Sequence, residues 1–119
     1  MNQDNYGSLG ACQRLVEAGI EINTEFHYCQ KSDNEPIQLI YHADSYVYQV
    51  FIPAPSMAEV WRELPAGVRM IHRGGNVQVY PEYDSEHMSY GANPTDALID
   101  LLIWLKEQKN EAKRDRDTR

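Results

Sequence analysis

The chain has 119 residues, 42% apolar and 24% charged, with a formal net charge of −7, values that describe one ordinary globular domain long enough to bury a core. Up to residue 105 there are five basic and fourteen acidic residues, a balance of −9, and six of the eleven basic residues crowd into 106–119. A body this acidic repels phosphate backbones, which argues against duplex nucleic acid as a partner, and no apolar run approaches the roughly 20 residues that cross a bilayer.

In chain order, residues 1–7 are polar and lack the basic start and apolar stretch of a signal peptide, so a cytoplasmic protein is expected. Ser8 caps a first helix in which Leu9, Cys12, Leu15 and Val16 recur at helical spacing, and Gly19 stops it. Residues 24–30 alternate as a strand, with Phe26 and Tyr28 on one side and His27 and Cys29 on the other. After the turn K-S-D-N-E-P, residues 37–42 form a second strand with Ile37, Leu39 and Tyr41 on one face. Residues 46–52 form a third, with Tyr46, Tyr48, Val50 and Ile52 together. Short turns between them predict an antiparallel meander.

In I-P-A-P-S-M-A-E-V-W-R-E-L-P, prolines end the strand, Ser56 and Glu59 form a capping box, and Met57, Val60, Trp61 and Leu64 make one apolar stripe. Residues 68–72 and 76–80 are strands around the hairpin turn R-G-G-N. Residues 81–92 read as irregular. Asn93 then caps a last helix, with Pro94 at its first position and Asp96 in the first turn. Ala97, Leu98, Leu101, Leu102 and Leu105 give that helix one wide apolar face, which Ile99, Ile103 and Trp104 extend. It is expected to be the central core helix. A competing reading leaves Ile99, Ile103 and Trp104 exposed as a homodimer seam.

Chemistry-bearing motifs are scarce. The chain has no G-x-S-x-G, P-loop, H-E-x-x-H or C-x-x-C. His27, His42, His72 and His87 are dispersed, and Cys12 and Cys29 are expected to be reduced thiols; no metal or cofactor is expected. Glu82, Asp84 and Glu86 read as solvated loop charge. Two helix starts stand out, N-Y-G-S-L-G-A and S-Y-G-A-N-P-T-D. Glycine lets backbone amides approach a ligand, and a helix N-terminus favours an anion. Tyr6, Gly7, Tyr90, Gly91 and Thr95 therefore form a candidate site for a small anionic, nucleotide-like ligand, with Arg69 and Arg73 as counter-charge. Against it, Asp96 already complements the third helix and would repel a phosphate. Tyr28, Tyr41, Tyr46, Tyr48, Tyr80, Tyr83 and Tyr90 fall on the sheet or the long loop, which suits either a packed face or an interaction surface.

The segments I-P-A-P-S-M-A-E-V-W-R-E-L-P and N-P-T-D-A-L-I-D-L-L-I-W-L, with L-V-E-A-G-I ending the first helix, resemble small proteins of phages and prophages of Bacteroides-type hosts. The resemblance spans about residues 8–107. It carries caps and core positions but no assigned activity, and it implies an accessory role toward the host cell.

The expected fold is α+β: a mainly antiparallel five-stranded sheet with three helices, order α-β-β-β-α-β-β-α, the C-terminal helix central. Residues 1–107 are expected to form the domain and 108–119 a charged tail. The leading functional expectation is a non-catalytic protein that binds, and can sequester, a small nucleotide-like ligand of host defence signalling. The alternative is an acidic interaction module that inhibits a host protein, and a weaker one is a small nucleotide phosphodiesterase using the histidines.

Overall fold

The computed structural model describes residues 5–82 and 88–117, apart from the side chains of Arg73 and of residues 110–117. Tyr83, Asp84, Glu86 and His87, with the Arg73 side chain, lie outside the described set. The elements are α1 (Leu9–Glu17), β1 (Phe26–Gln30), β2 (Gln38–Tyr41), a 3₁₀ turn (Ser45–Val47), β3 (Val50–Pro53), α2 (Met57–Glu63), β4 (Val68–Arg73), β5 (Asn76–Pro81), β6 (Ser89–Gly91) and α3 (Pro94–Asp117). The α+β class and the three helices match expectation. The strands instead form two separate three-stranded antiparallel sheets, β2-β1-β3 and β4-β5-β6.

The first sheet is not a meander. β1 sits at its centre and β3 pairs with β1, so the chain passes from one edge to the other between β2 and β3. The expected third strand begins late because the Asp44 side chain accepts from the Tyr46 amide and caps the 3₁₀ turn. That turn uses the residues needed to cross. The Gln49 amide then donates to the Gln30 carbonyl at 2.9 Å, and the Ala54 amide donates to the Phe26 carbonyl at 2.9 Å. Pro53, opposite His27, is the last residue of the strand, and Pro55 has no N–H to carry the ladder further.

Helix α2 starts as its sequence predicts. Ser56 Oγ accepts from the Glu59 amide while Glu59 Oε1 accepts from the Ser56 amide. The same carboxylate oxygen accepts from the Thr24 hydroxyl at 2.9 Å, tying the helix to the segment before β1. Val60 is buried and Met57 and Leu64 pack on the core, but Trp61 is turned out and 43% exposed. The R-G-G-N hairpin forms with Gly74 and Gly75 at φ 50° and 85°, a conformation glycine adopts without a Cβ clash. β6 falls in the stretch expected to be irregular; its three residues pair with Val77, Gln78 and Val79.

Helix α3 is central, as expected. Ala97, Leu98, Leu101, Leu102 and Leu105 are buried, and the helix packs on α1, α2, β5 and β6. Ile99 is 0% exposed, so it is unavailable to a dimer seam in this conformation, while Ile103 and Trp104 are half-buried. The helix continues through most of the charged tail. No helix among the described residues is long and apolar enough to cross a membrane.

The buried core cluster is built from α1, α2, α3, β5 and Ile22, with no residue of β1, β2 or β3. Val77 and Val79 of β5 point into it at the two-residue period of a strand. In the first sheet Cys29 alone is buried.

Candidate functional site

The fold brings the two Tyr-Gly helix starts toward each other. The Asn93 Nδ2 amide donates to the Tyr6 carbonyl at 3.1 Å, and the Ser8 backbone amide donates to Asp96 Oδ1 at 2.7 Å. The Gly7 amide donates to the Pro55 carbonyl, and the Tyr28 hydroxyl donates to the Gly7 carbonyl at 2.6 Å. Helix ends leave orphan amides that can hold an anion. Here protein groups take three of them. Ser8 Oγ accepts from the Ala11 amide, and Asn93 Oδ1 accepts from the Thr95 and Asp96 amides. Asp96 sits where a ligand's negative charge would sit, and its carboxylate would repel a phosphate there. The same charge is felt nearby: burial, reinforced by Asp96, pushes the Cys12 thiol up to about 12.

The glycines have a packing role at this junction. A Cβ on Gly7 would lie 2.6 Å from Ile99 Cδ1 and 2.9 Å from Cys12 Sγ, and one on Gly91 would lie 3.3 Å from the Asn93 carbonyl oxygen. Thr95 is 0% exposed and so is closed to a ligand in this conformation. Arg69 is on the outer strand of the second sheet, with β5 between it and Gly91, and its guanidinium pairs with Glu82 at 2.8 Å. The structure thus joins Tyr6 and Gly7 to the start of α3 and leaves Arg69 elsewhere.

The histidine chemistry is also dispersed. His27 stacks on Phe51 at 4.0 Å with the planes 11° apart, and burial lowers its pKa. His42 lies beside Glu25 at 3.7 Å, and His72 belongs to the other sheet. Cys29 shares the His27 face, but its thiol is buried, is pushed up by desolvation, and contacts the His27 carbonyl at 3.5 Å. A nucleophilic cysteine needs the opposite environment. Among the described residues no group of three or more His, Cys, Asp or Glu is placed to hold a metal.

Two surfaces stand out among the described residues. The register of the first sheet puts Phe26 opposite Tyr41 and Tyr28 opposite both Leu39 and Ile52, with Val50 opposite Gln30. One face therefore gathers Phe26, Tyr28, Leu39, Tyr41, Val50 and Ile52, and none of the six is buried. Tyr6 closes one end by packing on Phe26 at 4.5 Å, and Phe26 packs on Tyr41 at 5.0 Å. Tyr41 is still 54% exposed. The strand faces read from the sequence anticipate this grouping. The charged residues of 24–53 are Glu25, Asp33, Glu35 and Asp44 against Lys31 alone.

The second surface is a groove of about 660 Å³ where α1, α3 and β6 meet. It collects Tyr90, Ile103 and Trp104, which the sequence marked for different reasons, with Arg14, Glu17, Asp100 and Glu107, which it did not mark. The spacing Asp100, Ile103, Trp104, Glu107 is one helical face and was the available signal. α1 and α3 run parallel along the groove. Arg14 Nη1 meets Asp100 Oδ1 at 2.6 Å, and Lys106 Nζ donates to the Gly19 carbonyl at 2.8 Å. Comparison with protein-family models, curated proteins and solved structures finds no match.

Proposed function

We propose that the protein is a non-catalytic interaction module whose first sheet docks on a basic protein surface. The observation that carries this reading is the six-residue face of β1, β2 and β3, in which Tyr41 is exposed, the other five are half-buried and none is fully buried. Exposed contiguous apolar surface with aromatic residues marks interaction sites. The carboxylates of this segment and the −9 body select a partner of opposite charge and oppose pairing with a second copy. In the phage setting that the resemblance implies, the partner is a host protein and docking inhibits it.

The test is capture from host lysate by the immobilised full chain, side by side with a Leu39→Asp/Tyr41→Asp variant of unchanged circular dichroism. The reading expects basic proteins that are bound by the wild type, weakened by salt and lost on the variant. Equal capture by the variant contradicts it. Sequestration of a nucleotide-like ligand has less support, because Asp96 fills the helix-start position and Arg69 pairs with Glu82. A nucleotide panel is expected to leave the melting temperature unchanged. Saturable binding at a hundredfold excess over Kd would stabilise by about 2.7 kcal/mol and would restore that reading.

A further inference from the structure

We propose that the free edge of β4 pairs with β4 of a second copy of this chain, joining two second sheets into one continuous antiparallel sheet. β4 has six residues and is an edge strand, and no described strand pairs with its outer side. The Glu82 amide donates to the Gly67 carbonyl at 2.8 Å, which makes residues 67 and 82 a hydrogen-bonded pair. Every second residue along the register repeats that arrangement, so Arg69, Ile71 and Arg73 turn their backbone groups to β5. Val68, Met70 and His72 turn theirs outward. Among the described residues, no turn, loop or cap supplies a backbone bond to any of the three. Folded proteins usually blunt such an edge with proline, lysine, a bulge or a very short strand. The strand V-R-M-I-H-R has neither proline nor lysine, equals β5 in length, and keeps an unbroken register with it.

This edge is complementary to itself. A partner strand must also offer outward-pointing backbone groups, and an antiparallel pairing centred on Met70 matches all three residues. Met70 then faces Met70 of the second copy, and Val68 faces His72 on either side of the axis. Each of these pairs exchanges two bonds, about six in all. A shift of two residues in either direction loses one of the pairs. Met70 is 42% exposed in the free chain, so the axis of the pairing covers the large apolar side chain that β4 leaves in water.

The charges agree with the same register. Acidic residues set two first sheets against each other, but β4 carries Arg69 and Arg73, two of the five basic residues before residue 106. Centring on Met70 puts position 73 of each chain opposite Gly67 of the other. Glu82 stands over that glycine. Its Oε1 takes Arg69 at 2.8 Å, while Oε2 lies 3.5 Å from where a Cβ on Gly67 would be. The arginine at position 73 of the second copy therefore arrives beside a carboxylate, and Arg69 comes opposite Ile71 rather than another arginine. The net charge of −7 per chain opposes association, but charges farther apart than about 8 Å are largely screened at physiological salt. The pairing uses no residue of the first sheet and leaves that face to its own partner.

The experiment measures the mass of the full chain by sedimentation from micromolar to millimolar concentration, and then cross-links it. A concentration-dependent dimer is expected. Met70→Lys sets two like charges opposite each other at the axis and should weaken the dimer by about tenfold or more, with circular dichroism unchanged because the side chain it replaces is exposed. Met70→Cys should form a disulfide between two chains in oxidised glutathione, since hydrogen-bonded pairs hold their Cα atoms about 5.5 Å apart, within disulfide reach. Ile71→Cys should not, because its counterpart is offset by two residues and lies about 7–8 Å away. Cys12 and Cys29 are buried and do not compete. A monomer at millimolar protein overturns the proposal and leaves the edge to a strand of another protein. A dimer that Met70→Lys leaves intact, or equal cross-linking at positions 70 and 71, overturns it as well.

Discussion

β5 and β1 are both central strands of three-stranded antiparallel sheets, yet they end in opposite situations. β5 buries Val77, Val79 and Pro81 in strict alternation beneath α3. β1 buries Cys29 alone, although its neighbours carry Leu39, Val50 and Ile52. The strands are comparably apolar. What differs is the cover: α3 lies across the second sheet, whereas the first meets only α1, at β3, and the Gly7 segment, at Tyr28, and stays half-buried. Strand pattern sets which residues share a face, but the long-range placement of a helix decides whether that face becomes core or surface.

Substitutions that probe both sheets sharpen this contrast. The largest effect is expected for Leu101→Ala under α3, a loss of about 2–5 kcal/mol for a fully buried leucine. Leu39→Ala on the first sheet should cost less, under about 1.5 kcal/mol, because that side chain is half-buried and outside the core cluster. Denaturant titration of both variants gives the comparison, and equal losses would break it. Gly7→Ala should follow at about 1–3 kcal/mol, since its methyl must displace Ile99 and Cys12 at the junction of α1 and α3.

Chemistry gives two smaller effects. Neither Cys12 nor Cys29 should react with a thiol reagent in the native state, as both are buried with raised pKa values, and both should react after denaturation. Rapid native labelling of Cys29 would show the first sheet opening more than its structure indicates. The smallest effect concerns His27, whose folded pKa is lowered from 6.5 by desolvation. The unfolded chain therefore takes up the proton first. Stability from neutral His27 is complete above about pH 6.5, falls as pH drops below it, and levels off under the folded pKa. His27→Gln should flatten that part of the stability–pH curve, and an unchanged slope would assign it to other groups.

Much of the local structure was legible in the sequence. The Ser56–Glu59 box, the R-G-G-N hairpin and the buried face of α3 follow from short-range rules about caps, positive φ and helical period. The strand faces around Tyr28 were legible too, because alternation is local. Strand order was not. Short turns suggested that β2 pairs with β3, whereas the Asp44-capped 3₁₀ turn carries the chain past β1. The division into two sheets and the short β6 also depend on where α3 lies, and that is a property of the whole chain. At the helix starts the signal was real but ambiguous. Tyr-Gly before a cap fits both a ligand cradle and close packing, and only the positions of Asp96 and Ile99 separate them. The groove joins residues up to 93 positions apart along the chain, Arg14 to Glu107, so only half of it, the α3 face, could be read in advance.

The central claim is that the first sheet has a face left half-buried that a partner completes. Amide hydrogen exchange of the free full-length chain tests it most directly, by comparing β1 to β3 with β5 and α3. Exchange reports local opening, and strands with few buried contacts open at lower cost. The account predicts that β1 to β3 exchange about a hundredfold faster or more than β5, a gap of roughly 2.7 kcal/mol. Equal protection of the two sheets would contradict it and remove the main reason to assign the first sheet a partner.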